Sequence, residues 1–149
     1  MKKLLAIVVL GLLWSGNAYS DSMISIKKYI QENNNYASDP ITLAYVLKRC
    51  SSAYLYAASI TKDKDPNTAE NLLKAFRVTF NFGAEILMKQ MKWTEDVAAK
   101  SLKTDIDNML KYYEKDGNDS FAKTGSYMMN NYIGEDLNIC KGIVEAINK

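Results

Sequence analysis

Cys50 and Cys140 are the two residues of this 149-residue chain whose type allows a covalent link. Each sits in the middle of an apolar helical stripe. At 100° per residue, Leu43, Val46, Leu47, Ala53, Tyr54, Ala57 and Ile60 fall within about 80° of Cys50. Met129, Ile133, Leu137, Ile143, Val144 and Ile147 share the side of Cys140. Both thiols point into one interior if the two helices share it. A single Cys50–Cys140 disulfide is then the economical reading for an exported chain, and two free thiols fit an oxidising compartment less well. Closing so long a loop would contribute about 4–5 kcal/mol in the chain-entropy picture.

The other chemistry open to the chain is narrowed by an absence: it contains no histidine. That removes Ser-His-Asp and Cys-His nucleophile systems, histidine-ligated haem and the Glu-x-x-His carboxylate metal sites of helical bundles. Met88, Met91, Met128 and Met129 could offer thioethers to a soft cation, but Met91 and Met129 fall on core stripes, where packing explains them better. No metal site and no cofactor are expected. Asp105 and Asp136 are the carboxylates that fall within apolar stripes, and two carboxylates could share acid/base work. With the cysteines level on antiparallel helices, four residues back from Cys140 meets four residues forward from Cys50. That sets Asp136 beside Tyr54 and predicts a structural Tyr54–Asp136 hydrogen bond, supplemented by Arg49, rather than a catalytic group.

On the outer flank of the Cys50 helix, Tyr45, Arg49, Ser52 and Tyr56 recur at helical spacing, with Ser59 one step further. Tyrosine and arginine are enriched at protein interfaces, so this flank is the candidate partner surface, the competing reading being packing against a neighbouring helix.

The elements that must carry these residues are all helical. Ser22–Gln31 forms a short amphipathic helix, followed by a polar connector that completes a 21–38 segment. Asp39-Pro40 starts the Cys50 helix with an N-cap and a proline at the first turn, and Lys64-Asp65-Pro66 ends it. A second helix opens at Asn67-Thr68-Ala69-Glu70 and runs to about Lys92. A third opens at Thr94-Glu95-Asp96 and stops at Lys115-Asp116-Gly117-Asn118, with Gly117 as its left-handed terminator. The fourth runs from Asp119-Ser120 to Ile147, with a kink or break near Gly134-Glu135-Asp136. The expected fold is an all-α, up-down-up-down four-helix bundle over residues 39–149, stapled between its first and last long helices.

Residues 1–20 read as a secretory signal peptide: Met1-Lys2-Lys3, an apolar run from Leu4 to Trp14, and Ala18-Tyr19-Ser20 before Asp21. An apolar run of about 11 residues is short for an anchor, which needs about 20. Without Lys2 and Lys3, 17 basic residues face 17 acidic ones, so the mature chain is neutral. Neither a nucleic-acid footprint nor a polybasic lipid patch is present, and no later segment suits stable membrane insertion. The expectation is a periplasmic or secreted, non-enzymatic protein that works by protein–protein contact as an inhibitor, adaptor or chaperone-like module. The alternative is a carrier of a small apolar ligand between the helices, cued by Phe76, Phe80, Tyr54 and Tyr132. An enzyme ranks last.

Overall fold

The computed structural model describes residues 23–149, so the expected leader lies outside the described residues. Those residues form five helices and no strand: α1 (Ile26–Glu32), α2 (Pro40–Thr61), α3 (Pro66–Met91), α4 (Glu95–Thr124) and α5 (Ile133–Ile147). Four of the five starts use a side-chain cap. Ser25 accepts from the Lys28 amide at 3.1 Å, Asp39 from Thr42 at 2.9 Å, Asp65 from Thr68 at 3.0 Å and Thr94 from Val97 at 3.4 Å. Each satisfies an amide that the first helical turn leaves without a partner. Helix α3 thus begins at Pro66 behind Asp65, not at the Asn67 box, because the aspartate is the better acceptor and the proline's φ already suits a first turn.

The largest departure from the expected order concerns the third and fourth long helices. Helix α4 does not stop at Gly117 but continues to Thr124, where Gly125 takes the left-handed terminating conformation at φ 74°. Gly117 serves another purpose. Its Cα lies against the side chain of Tyr56 in α2, and a Cβ built there would fall 1.8 Å from the tyrosine oxygen. Glycine is required by the close approach of two helices, not by a turn. Ser120 is likewise no helix start; its hydroxyl donates to the carbonyls of Ser126 and Met129 and ties down the loop that follows. The last helix is therefore short, and Asn131 Oδ1 accepts from its first amide, Ile133, at 3.0 Å.

Helix α2 is the centre of the molecule, touching α3, α4 and α5. Its interior residues divide among three clusters. Ala44 joins Ala84, Leu87, Ala98, Leu102 and Ile106 toward one end. Val46, Cys50 and Tyr54 join Ile26 and Cys140 on another face. Ala53 and Tyr56 join Tyr113 and Ile133 on the third. Three buried faces on one helix leave it little solvent-facing surface, consistent with its weak segregation of polar from apolar residues along the sequence.

Two glycine substitutions should have opposite signs. Gly117→Ala should destabilise by about 1–3 kcal/mol through collision with Tyr56. Gly142→Ala, in an exposed turn of α5 with open space around it, should stabilise by about 0.5–1 kcal/mol. Urea denaturation of the two variants checks both.

Candidate functional site

The densest polar arrangement lies in the interior, where α1, α2, α4 and α5 converge. Arg49 and Asp136 are both fully buried and form an ion pair, Nη2 to Oδ2, at 2.7 Å. Tyr113 donates its hydroxyl to the same carboxylate oxygen at 2.6 Å and accepts from Arg49 Nε at 3.2 Å. The other carboxylate oxygen accepts from the Ile26 amide at 2.7 Å, the first amide of α1. Arg49 Nη1 donates to the Ile24 carbonyl at 2.9 Å. The guanidinium also lies over the rings of Tyr113 and Tyr132, at 5.6 and 5.7 Å from their centroids. Tyr132 in turn donates to Asp116 at 2.7 Å. Each buried charge thus has a countercharge and further hydrogen bonds, the condition under which such a pair is tolerated.

Burial raises the Asp136 carboxyl above its ordinary value, against the opposing pull of the Tyr113 hydroxyl, the Arg49 charge and the Ile26 amide. Desolvation also dominates at Tyr113, whose phenol is held well above the ordinary tyrosine value. Tyr54 and Tyr56 are pushed up to about 12 by burial. Tyr56 is also the one described residue with a fully buried side-chain polar atom that finds no hydrogen-bond partner.

The expected Tyr54–Asp136 pair is replaced by Tyr113–Asp136. Asp136 stands in the first turn of a helix that begins only at Ile133, so it faces α1 and α4 as well as α2. Asp136 would face Tyr54 only on a helix continuous from Asp119. Tyr54 instead packs in the cluster around the disulfide. That disulfide joins Cys50 and Cys140, with Cα atoms 5.3 Å apart.

The expected partner flank is mostly interior. Arg49, Ser52 and Tyr56 are buried, because α4 lies against them through Tyr113, Ile106 and Gly117. Ser52 donates to the carbonyl of Lys48 at 2.9 Å and that of Ile106 at 3.2 Å. Tyr45 is half-buried, its ring 4.3 Å from that of Tyr29. Asp105 pairs with Lys48 and keeps 41% of its side chain exposed, so it is a surface group with its own cation and no partner for Asp136. Met91 and Met129, assigned to core stripes, are exposed at helix and loop ends.

Sequence reasoning missed the contribution of Ile24 and Ile26, which act through backbone groups that carry no residue signature. Tyr113 does carry a sequence signal, since it recurs at helical spacing with Ala98, Leu102, Ile106 and Met109. Among the described residues no three of Asp, Glu or Cys gather where a metal ion could sit, and no helix is long and apolar enough to cross a membrane.

Accessible surface chemistry lies elsewhere. An open groove of about 640 Å³ runs between the start of α2 and the end of α3, lined by Pro40, Leu43, Phe82, Ile86, Met88 and Trp93, with Glu85 and Lys89 at its rim. A second, of about 500 Å³, separates α3 from α4 over Leu55, Phe76, Phe80 and Ile106. Neither reaches Arg49, Tyr113 or Asp136. No protein family matches the chain, and no curated protein or solved structure matches it.

Two outcomes are expected of the interior network. Arg49→Met or Asp136→Leu alone should cost about 3–5 kcal/mol by leaving a buried charge uncompensated, whereas the double variant should cost less than either; equilibrium denaturation of the full cycle measures this. The raised tyrosines bind their protons more tightly in the folded than in the unfolded chain. Their contribution is therefore complete below the unfolded value of about 10 and is lost as pH rises toward about 12. Ultraviolet titration should show tyrosines ionising late, together with unfolding.

Proposed function

We propose that the chain is an exported, non-enzymatic helical protein that acts by protein contact, through the end of the bundle where α2 begins, α3 ends and α4 begins. The observation that carries this reading is an apolar surface at that end. Ile41, Met91 and Val97 are 51%, 47% and 47% exposed. The 640 Å³ groove carrying Leu43, Phe82, Ile86, Met88 and Trp93 lies at the same end. These residues belong to one end because Ala44, Leu87 and Ala98, their near neighbours in sequence, share a core cluster. Exposed apolar side chains beside an apolar groove that also carries charged residues are the usual mark of a contact site.

Periplasmic or secreted placement is supported by the basic-apolar-small pattern of residues 1–20 and by a buried disulfide, which persists in oxidising compartments. The non-enzymatic part is supported by the closure of the one strongly perturbed polar cluster, whose charges are spent on each other and on backbone groups. The proposal includes the alternating course of the long helices. It is supported by Ser51 meeting Thr79 at 2.8 Å and by Gly83 lying beside both Leu47 and Leu102. It is supported too by Cys50 meeting Cys140 while Ile133 shares a cluster with Tyr56.

A photo-crosslinking residue placed at Ile41 or Val97 in the native host should give a discrete protein adduct, and one at exposed Arg77 should give none. Ile41→Asp with Val97→Asp should abolish the adduct while leaving stability within about 0.5 kcal/mol, as befits surface positions. Trp93 is the sole tryptophan after the leader, so its emission reports this groove directly. Adducts spread evenly over all three positions, or unchanged Trp93 emission on complex formation, would sink the reading.

A further inference from the structure

The groove between α3 and α4 differs in chemistry from the one at the bundle end. Its floor is hydrocarbon and aromatic: Leu55 from α2, Phe76 and Phe80 from α3, Ala99 and Ile106 from α4. The two phenylalanine rings stand 5.6 Å apart, tilted 45°; both pack against the core cluster on one side and remain half-buried, open to the groove on the other. Its volume of about 500 Å³ falls in the range of small-molecule sites. All the charge on it comes from one helix. Lys100 and Lys103 stand one turn apart on α4, followed by Asp107. Asp107 is already engaged by Lys103, whereas Lys100 makes no ion pair among the described residues. The rim therefore carries a net positive charge over an apolar floor.

We infer that this groove binds a single-chain carboxylate amphiphile, its hydrocarbon tail laid over Phe76, Phe80, Leu55 and Ile106 and its carboxylate held by Lys100 and Lys103. The carboxylate takes the unpaired Lys100 and displaces Asp107 as the partner of Lys103. The apolar floor is covered by the tail, and each methylene so buried tightens binding about fourfold. A neutral apolar molecule would cover the same floor and leave Lys100 as it is. A cationic amphiphile would be repelled by the rim, because like charges at this range oppose one another. This reading places a ligand at the surface between two helices, not in an enclosed cavity inside the bundle. It stands independently of the contact surface near Trp93.

The test is a titration of the oxidised, leader-free chain followed by amide chemical shifts, using dodecanoate, octanoate and dodecyl maltoside, each below its micellar concentration. Dodecanoate should saturate and move the amides of residues 76–80 and 99–107. Octanoate should bind at least tenfold more weakly, and so should the neutral maltoside. Lys100→Gln with Lys103→Gln should weaken dodecanoate about tenfold and leave the thermal transition in place, since both lysines are exposed. Equal binding of dodecanoate and maltoside would overturn the inference. So would an unaltered affinity in the double lysine variant, shifts centred on Trp93, or no saturable binding of dodecanoate.

Discussion

The pairing of Arg49 with Asp136 is the constraint around which the rest of the molecule is arranged. A charge removed from water must find a countercharge and enough hydrogen bonds, and no single helix can supply all of them. Arg49 comes from α2, Asp136 from the first turn of α5, Tyr113 from α4, and the closing amide and carbonyl from the segment leading into α1. Satisfying one buried pair thus fixes four elements relative to each other. An apolar core alone would tolerate sliding of one helix against the next; a fork of directed hydrogen bonds does not.

The disulfide acts on the same contact from the covalent side. Cys50 follows Arg49 directly, and Cys140 lies one helical turn after Asp136. The link therefore holds α2 and α5 together at the level of the buried charges. Tyr56 and Gly117 do the corresponding work between α2 and α4, where a missing side chain lets a large one fill the space. The unpartnered Tyr56 hydroxyl is a cost of that close fit, accepted for ring packing against Tyr113 and Tyr127.

The all-helical class, the disulfide and the starts of α2 and α4 were legible in the sequence, because caps, prolines and apolar periodicity are local signals. The register of the last two helices was not. Gly117 and Gly125 look alike as letters, and only tertiary contact distinguishes a glycine that ends a helix from one that admits a neighbour. Tyr45, Arg49, Ser52 and Tyr56 looked like surface because residue type and spacing do not say which neighbour covers a flank: Tyr29 packs on Tyr45, Tyr113 meets Arg49, and the Ile106 carbonyl and Gly117 meet Ser52 and Tyr56. Asp136 was legible as a buried carboxylate, but its phenol partner depended on where α5 begins. The network's two backbone contributors, Ile24 and Ile26, are invisible to reasoning from side chains.

The hydrogen bond between the Ile26 amide and Asp136 spans 110 residues. A chain is made and delivered from its N-terminus, and at roughly 5–20 residues per second the carboxylate follows the amide by about 5–20 seconds. During that interval α1 has no seat. Tyr29 has only Tyr45 of α2 to pack on, and Arg49 waits for its countercharge. Any arrangement formed before residue 136 is made lacks this contact, so late residues fasten early ones.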